Sequence, residues 1–249
     1  IFDNKLLITG SANLSATGFG GYNANNVIVT KNKNVIDRYI FEFSQMYNGK
    51  FSNEKEKCDL AQDEKVQAYF SPKDDIYNSQ IKPRLQQARK RIYVSSFYLT
   101  DYDMLQELIN AKKRGLEVVI ISDALSAQSF KKRFDELRKN KIWVLVENWG
   151  GKNHEKTILI DDNELILGSC NFSKSGFYKN DENVLIIKNQ ELASLYLDYF
   201  SYLFNLIDKT HLFDYPRAES IESINSCFDG IDNDFDSKTD NLDEGCMKK

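Results

Sequence analysis

No run of eighteen apolar residues occurs anywhere in this 249-residue chain, which excludes a membrane-spanning helix of the usual length. An excess of positive charge is lacking too: 33 Lys and Arg stand against 37 Asp and Glu, a formal net charge of −4. The segment from Arg217 onward holds nine acidic and four basic residues, net −5, which leaves +1 for residues 1–216. That balance falls short of the basic footprint of a general nucleic-acid binder. A polyanion would have to be met by a local patch, for which Lys82, Arg84, Arg89, Lys90 and Arg91 are the candidates, although a solvated helix face accounts for them as well. Histidine is scarce: His154 and His211 are the two present, and His211, beyond the last predicted helix, is assigned no role. No secretory leader is visible, and the chain opens on Ile1. At 41 % hydrophobic and 28 % charged, the composition is that of an ordinary globular protein of one or two domains.

Against that background the window Asn153–Glu182 is dense in groups that handle phosphate. A strand from His154 to Ile160 puts His154 and Lys156 on one face, about 7 Å apart. An imidazole can attack phosphorus and form a covalent intermediate. An ammonium beside it holds a non-bridging oxygen and offsets charge developing there. A turn at 161–163 and a returning strand bring Ser169 and Asn171 back toward His154 as neutral donors. Glu182 is placed as the carboxylate that fixes the histidine tautomer and supports its cationic form. A lone H-x-K is usually a solvated strand face; H-x-K-x4-D followed by G-S-x-N and N-D-E is far less common by chance.

The combination resembles the phospholipase D superfamily, the HKD phosphodiesterases. His154, Lys156 and Asp161 match its signature, and Gly168-Ser169-Cys170-Asn171 matches its GSxN element; the resemblance covers most of residues 1–206. It implies a catalytic set of His154, Lys156, Asp161, Ser169, Asn171 and Glu182, a phosphohistidine intermediate, and no metal or other cofactor in the chemical step. It also implies that two motifs, from two lobes or two subunits, meet at one site, where one histidine attacks and the other protonates the leaving alkoxide.

Residues 1–47 repeat the second half of that motif. Asp3 matches Asp161 and Gly10 matches Gly168, an offset of 158, and after one inserted residue Asn26-Val27 matches Asn183-Val184. Ser11 and Asn13 are therefore the substrate-binding counterparts of Ser169 and Asn171. Asn25 takes the place of Glu182, and an amide does not support an imidazolium as a carboxylate does. His154, backed by Glu182, is expected to be the better nucleophile. The histidine and lysine of the first motif would fall before Ile1, so the chain reads as a fragment of a longer two-motif protein or a damaged gene product. A homodimer across the HKD face is one way to complete the site.

The expected fold is an α/β sandwich, a mixed sheet flanked by helices, with duplicated lobes of which the first is incomplete. Residues 1–47 form the end of the first lobe, 48–65 a polar linker with an exposed Cys58, and 66–208 a complete second lobe. Within it, 66–70 reads as an edge strand, 126–139 as one helix, and 191–204 as a closing helix whose aromatics face the core. Trp149, Lys152, Tyr98 and Asp101 are expected near the mouth of the site.

Residues 217–249 form an acidic tail. Asp232, Asp234, Asp236, Asp240 and Asp243 fall at positions 1, 3, 5, 9 and 12 of a twelve-residue oxygen-ligand loop. The tail looks like the calcium loops of dockerin and thrombospondin type 3 repeats, with Ser237 where the tight turn wants glycine, and implies a structural Ca2+. Cys227 and Cys246 bracket it and are placed to form a disulfide, which favours a secreted or periplasmic location. Three readings follow: a metal-independent phosphodiesterase on nucleic acid, favoured for its compact lobes; a phospholipase D acting on phospholipid head groups; and a non-catalytic half-enzyme that binds phosphate.

Overall fold

The structure is a computed structural model and describes residues 1–20, 23–149, 151–207, 219–223, 226–234 and 236–247. His211 lies outside the described residues. The chain opens with β1 (Leu7–Gly10), the short α1 (Ala16–Phe19), β2 (Val27–Thr30) and α2 (Lys33–Tyr47). β1 and β2 pair antiparallel, with Leu7 opposite Thr30 and Gly10 opposite Val27. Ser15 caps α1 by accepting from Gly18 N, and Asn32 caps α2 by accepting from Val35 N.

The second part contributes β3 (Val66–Phe70), a π turn at Tyr77–Ile81 running into α3 (Lys82–Gln87), β4 (Arg91–Ser96) and α4 (Tyr102–Lys113). β5 (Glu117–Ser122), α5 (Ala124–Ser129), α6 (Lys131–Lys139) and β6 (Trp143–Val146) follow. The chain then runs through β7 (Lys156–Ile160), β8 (Glu164–Gly168), α7 (Lys174–Tyr178), β9 (Asn183–Lys188) and α8 (Gln190–Leu206). The seven strands are ordered β3-β9-β8-β7-β4-β5-β6, with β3 at an edge as expected. β4, β5 and β6 run parallel and the other pairs antiparallel, a mixed sheet. The single helix expected over 126–139 is two, because Phe130 (φ −122°, ψ 30°) leaves helical geometry.

Strand alternation sorts side chains to two cores. Ile92, Val94, Ile120, Ile158, Ile166 and Ile186 face the layer of α3, α4 and α6. Tyr93, Ile121, Leu159, Leu167, Leu185 and Ile187 face the layer of α8, together with Val35 and Ile36 of α2. The polar stretch after α2 packs more closely than its composition indicates. Lys55 is buried and ion-paired to Glu42 and to Asp181. Arg38 donates to the carbonyls of Cys58, Leu60 and Ala68. Cys58 is therefore buried, not exposed. The basic residues offered as a groove are largely neutralised: Arg84 pairs with Glu164, and Lys90 and Arg91 with Asp162. No helix among the described residues is long and apolar enough to cross a membrane.

Candidate active site

His154 sits just ahead of β7, and both flanks fix it. Asn153, fully buried, accepts from Ser95 Oγ (3.1 Å), donates its side-chain amide to the Ile121 carbonyl (3.0 Å), and gives its backbone N–H to Asp123 (3.2 Å). Lys152 is tied to the first part of the chain: Ala24 N donates to its carbonyl and its own N–H donates to Asn23 Oδ1, both at 2.9 Å. The imidazole Nδ1 lies 2.9 Å from the carbonyl of Ser11 and 3.2 Å from Asn25 Oδ1. A carbonyl only accepts, so Nδ1 carries the proton and the neutral ring keeps its lone pair on Nε2. Burial, and then the charges of Lys156 and Lys152, push the histidine down to about 4. It is uncharged at neutral pH.

Lys156 is buried and donates to the carbonyl of His154 at 2.6 Å. Its Nζ stands 5.2 Å from the centroid of Phe97, and the His154 ring 4.9 Å from it. Burial pulls its ammonium down to about 7, so an arriving phosphate, as an opposite charge, favours the charged form. Ser169 accepts from Asn183 N (3.0 Å) and donates to Glu182 at 2.6 Å. Ser11 repeats the arrangement, accepting from Asn26 N (2.9 Å) and donating to Asn25 Oδ1 (3.1 Å). Asn171 Oδ1 is buried without a partner among the described residues, a polar atom facing nothing that satisfies it.

A family model described as cardiolipin synthase, PLD-like domain, matches residues 81–204. A protein named phospholipase D from Rickettsia conorii is 36 % identical over 117 residues, which are 47 % of this chain and 58 % of that protein. A mitochondrial cardiolipin hydrolase from Canis lupus familiaris is 29 % identical over 119 residues, 47 % of each chain. The crystal structure of a phospholipase D family member, Nuc from Salmonella typhimurium, matches with a TM-score of 0.52 at 25 % identity, over 57 % of this chain and 95 % of that one. The chain belongs to the phospholipase D superfamily. It spans little more than half the length of the Rickettsia relative. A phosphatidylserine synthase from Haemophilus influenzae, 12 % identical with a TM-score of 0.64 over 85 % of this chain and 63 % of its own, shares the fold.

Within this phospholipase D frame the expected site residues divide. His154, Lys156, Ser169 and Glu182 stand on neighbouring elements, and Ser11 comes to them from the first repeat. Glu182, however, does not back His154: its carboxylate takes the hydroxyl of Ser169 and the side-chain amide of Asn180. The group at the histidine is Asn25, the residue that matches Glu182 in the other repeat. The first repeat thus supplies the partner for the histidine of the second. Asp161 is not in the site. Its carboxylate accepts the backbone N–H groups of Arg89, Lys90 and Arg91, and the length of β7, roughly 20 Å, separates it from His154. Ser11 reaches the histidine through its carbonyl, and Asn13 is exposed two residues on. Trp149 is buried in the second core, and Asp101 caps α4 through Met104 N. Sequence reasoning missed Phe97, which carries no ionisable group, and the buried acids Asp123, Glu147 and Glu155. Burial raises Asp123 to about 6 and Glu155 to about 7 and lifts Glu147 well above the carboxylate range.

In the tail, Cys227 and Cys246 form a disulfide with Cα atoms 5.5 Å apart. The carboxylates of Asp234, Asp236 and Asp243 offer oxygens within 4.8 Å of one another, as do those of Glu219, Asp232 and Asp234. An all-oxygen set of this density suits Ca2+. Ser237 takes φ 75° where glycine was expected, so the tight turn forms without it. Asp240 departs from the expected ligand set, because its carboxylate accepts from the N–H groups of Asp229 and Gly230. Glu219, outside the twelve-residue pattern, is brought in instead.

Proposed function

We propose that this protein hydrolyses phosphodiesters by a metal-independent, two-step displacement on His154, with a nucleic acid as the favoured substrate. The carrying observation is the Nδ1 bond to the Ser11 carbonyl in a ring held neutral, which leaves Nε2 as a nucleophile at physiological pH. Nε2 forms a bond to phosphorus as the bond to the leaving oxygen breaks, and that oxygen takes a proton. Water then attacks phosphorus as the bond to Nε2 breaks, its proton passing to the group that protonated the leaving oxygen, and the histidine is freed. Lys156, charged once phosphate is bound, and the side-chain N–H of Asn171 hold the non-bridging oxygens. The acid for the leaving group is a second histidine; another copy of this chain, docked across the His154 face, is one source. A homodimer is therefore part of the proposal.

A phospholipid substrate has its own support: two of the relatives above carry lipid-hydrolase names, and a mostly apolar cavity of about 300 Å³ opens beside Glu182. The test is hydrolysis of bis(p-nitrophenyl) phosphate in EDTA by the chain and by His154→Ala, followed by single-stranded DNA against cardiolipin vesicles. Turnover that survives EDTA and disappears in the variant is expected. Turnover that EDTA abolishes, or that His154→Ala retains, overturns the mechanism. An inactive wild type, alone or as a dimer, leaves a half-enzyme that binds phosphate without turnover.

The tail is proposed to bind Ca2+ through Asp232, Asp234, Asp236, Asp243 and Glu219 in a structural role. Together with the disulfide this fits a secreted or periplasmic location, where thiols oxidise and calcium is abundant. Isothermal titration with Ca2+ should show binding that Asp234→Asn weakens and Asp240→Asn spares; heat that Asp234→Asn leaves unchanged refutes the assignment.

A further inference from the structure

Lys152 touches none of the reacting groups above and reaches His154 only through its charge, yet its backbone is held at two points. Residues 152, 154 and 156 share one parity of an extended segment, so successive members lie about 7 Å apart on the same side. The backbone of Lys152 is clamped at both its N–H and its carbonyl to Asn23 and Ala24. Its Nζ lies 5.7 Å from the centroid of Phe97, the ring that also receives Lys156 and His154. Phe97 meets Tyr98 edge to face at 4.5 Å, and both rings are half-exposed.

The charges around this ring differ from those elsewhere on the sheet. Arg84, Lys90 and Arg91 are paired with carboxylates. Among the described residues neither Lys152 nor Lys156 forms such a pair, and the two face one aromatic ring. Lys156, which also feels the charge of Glu182, serves the phosphate under attack; Lys152, in no ion pair among the described residues, leaves a charge for a second anion. Exposed aromatics interleaved with cations are how single-stranded nucleic acid is held without sequence preference, with bases on rings and phosphates on ammonium groups. A bilayer would instead call for an apolar rim, and the groups here are a lysine and two aromatics.

We propose that Lys152, Phe97 and Tyr98 form a subsite for the nucleotide adjoining the scissile phosphate of a single-stranded nucleic acid. Lys152 takes the neighbouring phosphate, and the aromatic pair takes the base. This rests on the nuclease reading above. The experiment measures binding of a fluorescein-labelled dT12 strand by anisotropy in EDTA, over a series of salt concentrations, for the wild type, Lys152→Met and Lys152→Arg. Cleavage of dT12 and of bis(p-nitrophenyl) phosphate is measured alongside.

Lys152→Met should weaken dT12 binding five- to twenty-fold and reduce the slope of log affinity against log salt by about 0.7, the loss of one single-strand phosphate contact. The ratio of kcat/KM for dT12 to that for the small diester should fall at least five-fold, and Lys152→Arg should restore both. An unchanged slope, or an equal loss on both substrates, overturns the subsite while the nuclease reading stands. A larger loss of binding to cardiolipin vesicles than to dT12 overturns it in favour of a lipid. A wild type that hydrolyses the small diester but neither binds nor cleaves dT12 removes the nuclease reading, and the subsite with it.

Discussion

Residues 7–30 and 165–187 follow the same local course and meet opposite environments. In both, a glycine ends the first strand against the backbone of the second: a Cβ at Gly10 would lie 2.2 Å from Asn26 O, and one at Gly168 the same distance from Asn183 O. In both, a serine two hydrogen bonds deep ties the turn to the returning strand. The outward faces part company. Ile8, Val29, Leu14 and Phe19 are 44 %, 60 %, 94 % and 57 % exposed, while their counterparts Ile166, Ile186, Phe172 and Phe177 lie in the core under α3 and α4. Short-range chemistry reproduces a turn wherever the sequence recurs, but burial depends on what covers the turn.

The largest break in the comparison should come at the glycines. Gly168→Ala drives a side chain into a backbone carbonyl at φ 156°, inside the main core. The variant is expected to lose more than about 3 kcal/mol or fail to fold, as overpacking joined to backbone strain does. Gly10→Ala meets the same clash in a two-stranded sheet with fewer layers around it, and should distort the site more than the fold. Urea denaturation of both separates the cases; equal losses would show that the first repeat is as integral to the fold as the second.

The aromatic pair sharpens the same point at smaller scale. Phe177 is fully buried and stacks on Tyr77 at 5.0 Å between centroids. Phe177→Ala should cost about 3–5 kcal/mol. Phe19→Ala removes the same atoms from solvent-facing positions and should stay within about 0.5 kcal/mol. A large loss at Phe19, rising with protein concentration, would show that another surface covers the face in solution.

The sheet, the helices of the second part, the repeat and the HKD pair were legible because periodicity and motif spacing are local properties of a strand or turn. What was not legible depends on contacts across the molecule. Glu182 looked like the partner of His154 because it is close in sequence and is a carboxylate, whereas the contact runs from His154 to the other repeat, 129 residues away. Asp161 matched a motif position, but that position lies at the far end of β7, where three backbone N–H groups need an acceptor. Cys58 looked exposed in a polar stretch; Arg38, Glu42 and Asp181 draw that stretch inward. Glu219 lay thirteen residues before the acidic loop it joins, a separation no loop pattern spans.

The contact of His154 with the other repeat gives the most delicate test, because it turns on one amide. An amide at Asn25 accepts the Nδ1 proton without favouring the imidazolium, and burial then holds His154 neutral at about 4. Asn25→Asp places a carboxylate at the same point, which favours the charged ring and should raise its pKa by about 1–3 units. Glu182→Gln should leave it in place, because the charge of Glu182 acts on Lys156 and not on the histidine. The sign for stability follows. A histidine depressed in the folded state binds fewer protons there than in the unfolded chain, so the wild type loses stability as pH falls from about 6.5 toward 4. Asn25→Asp narrows that window and carries the acid limb of kcat/KM upward with it. Imidazole NMR titration of the three proteins decides the matter. A pKa that moves with Glu182 and not with Asn25 would restore the pairing within one repeat and undo the contact between repeats.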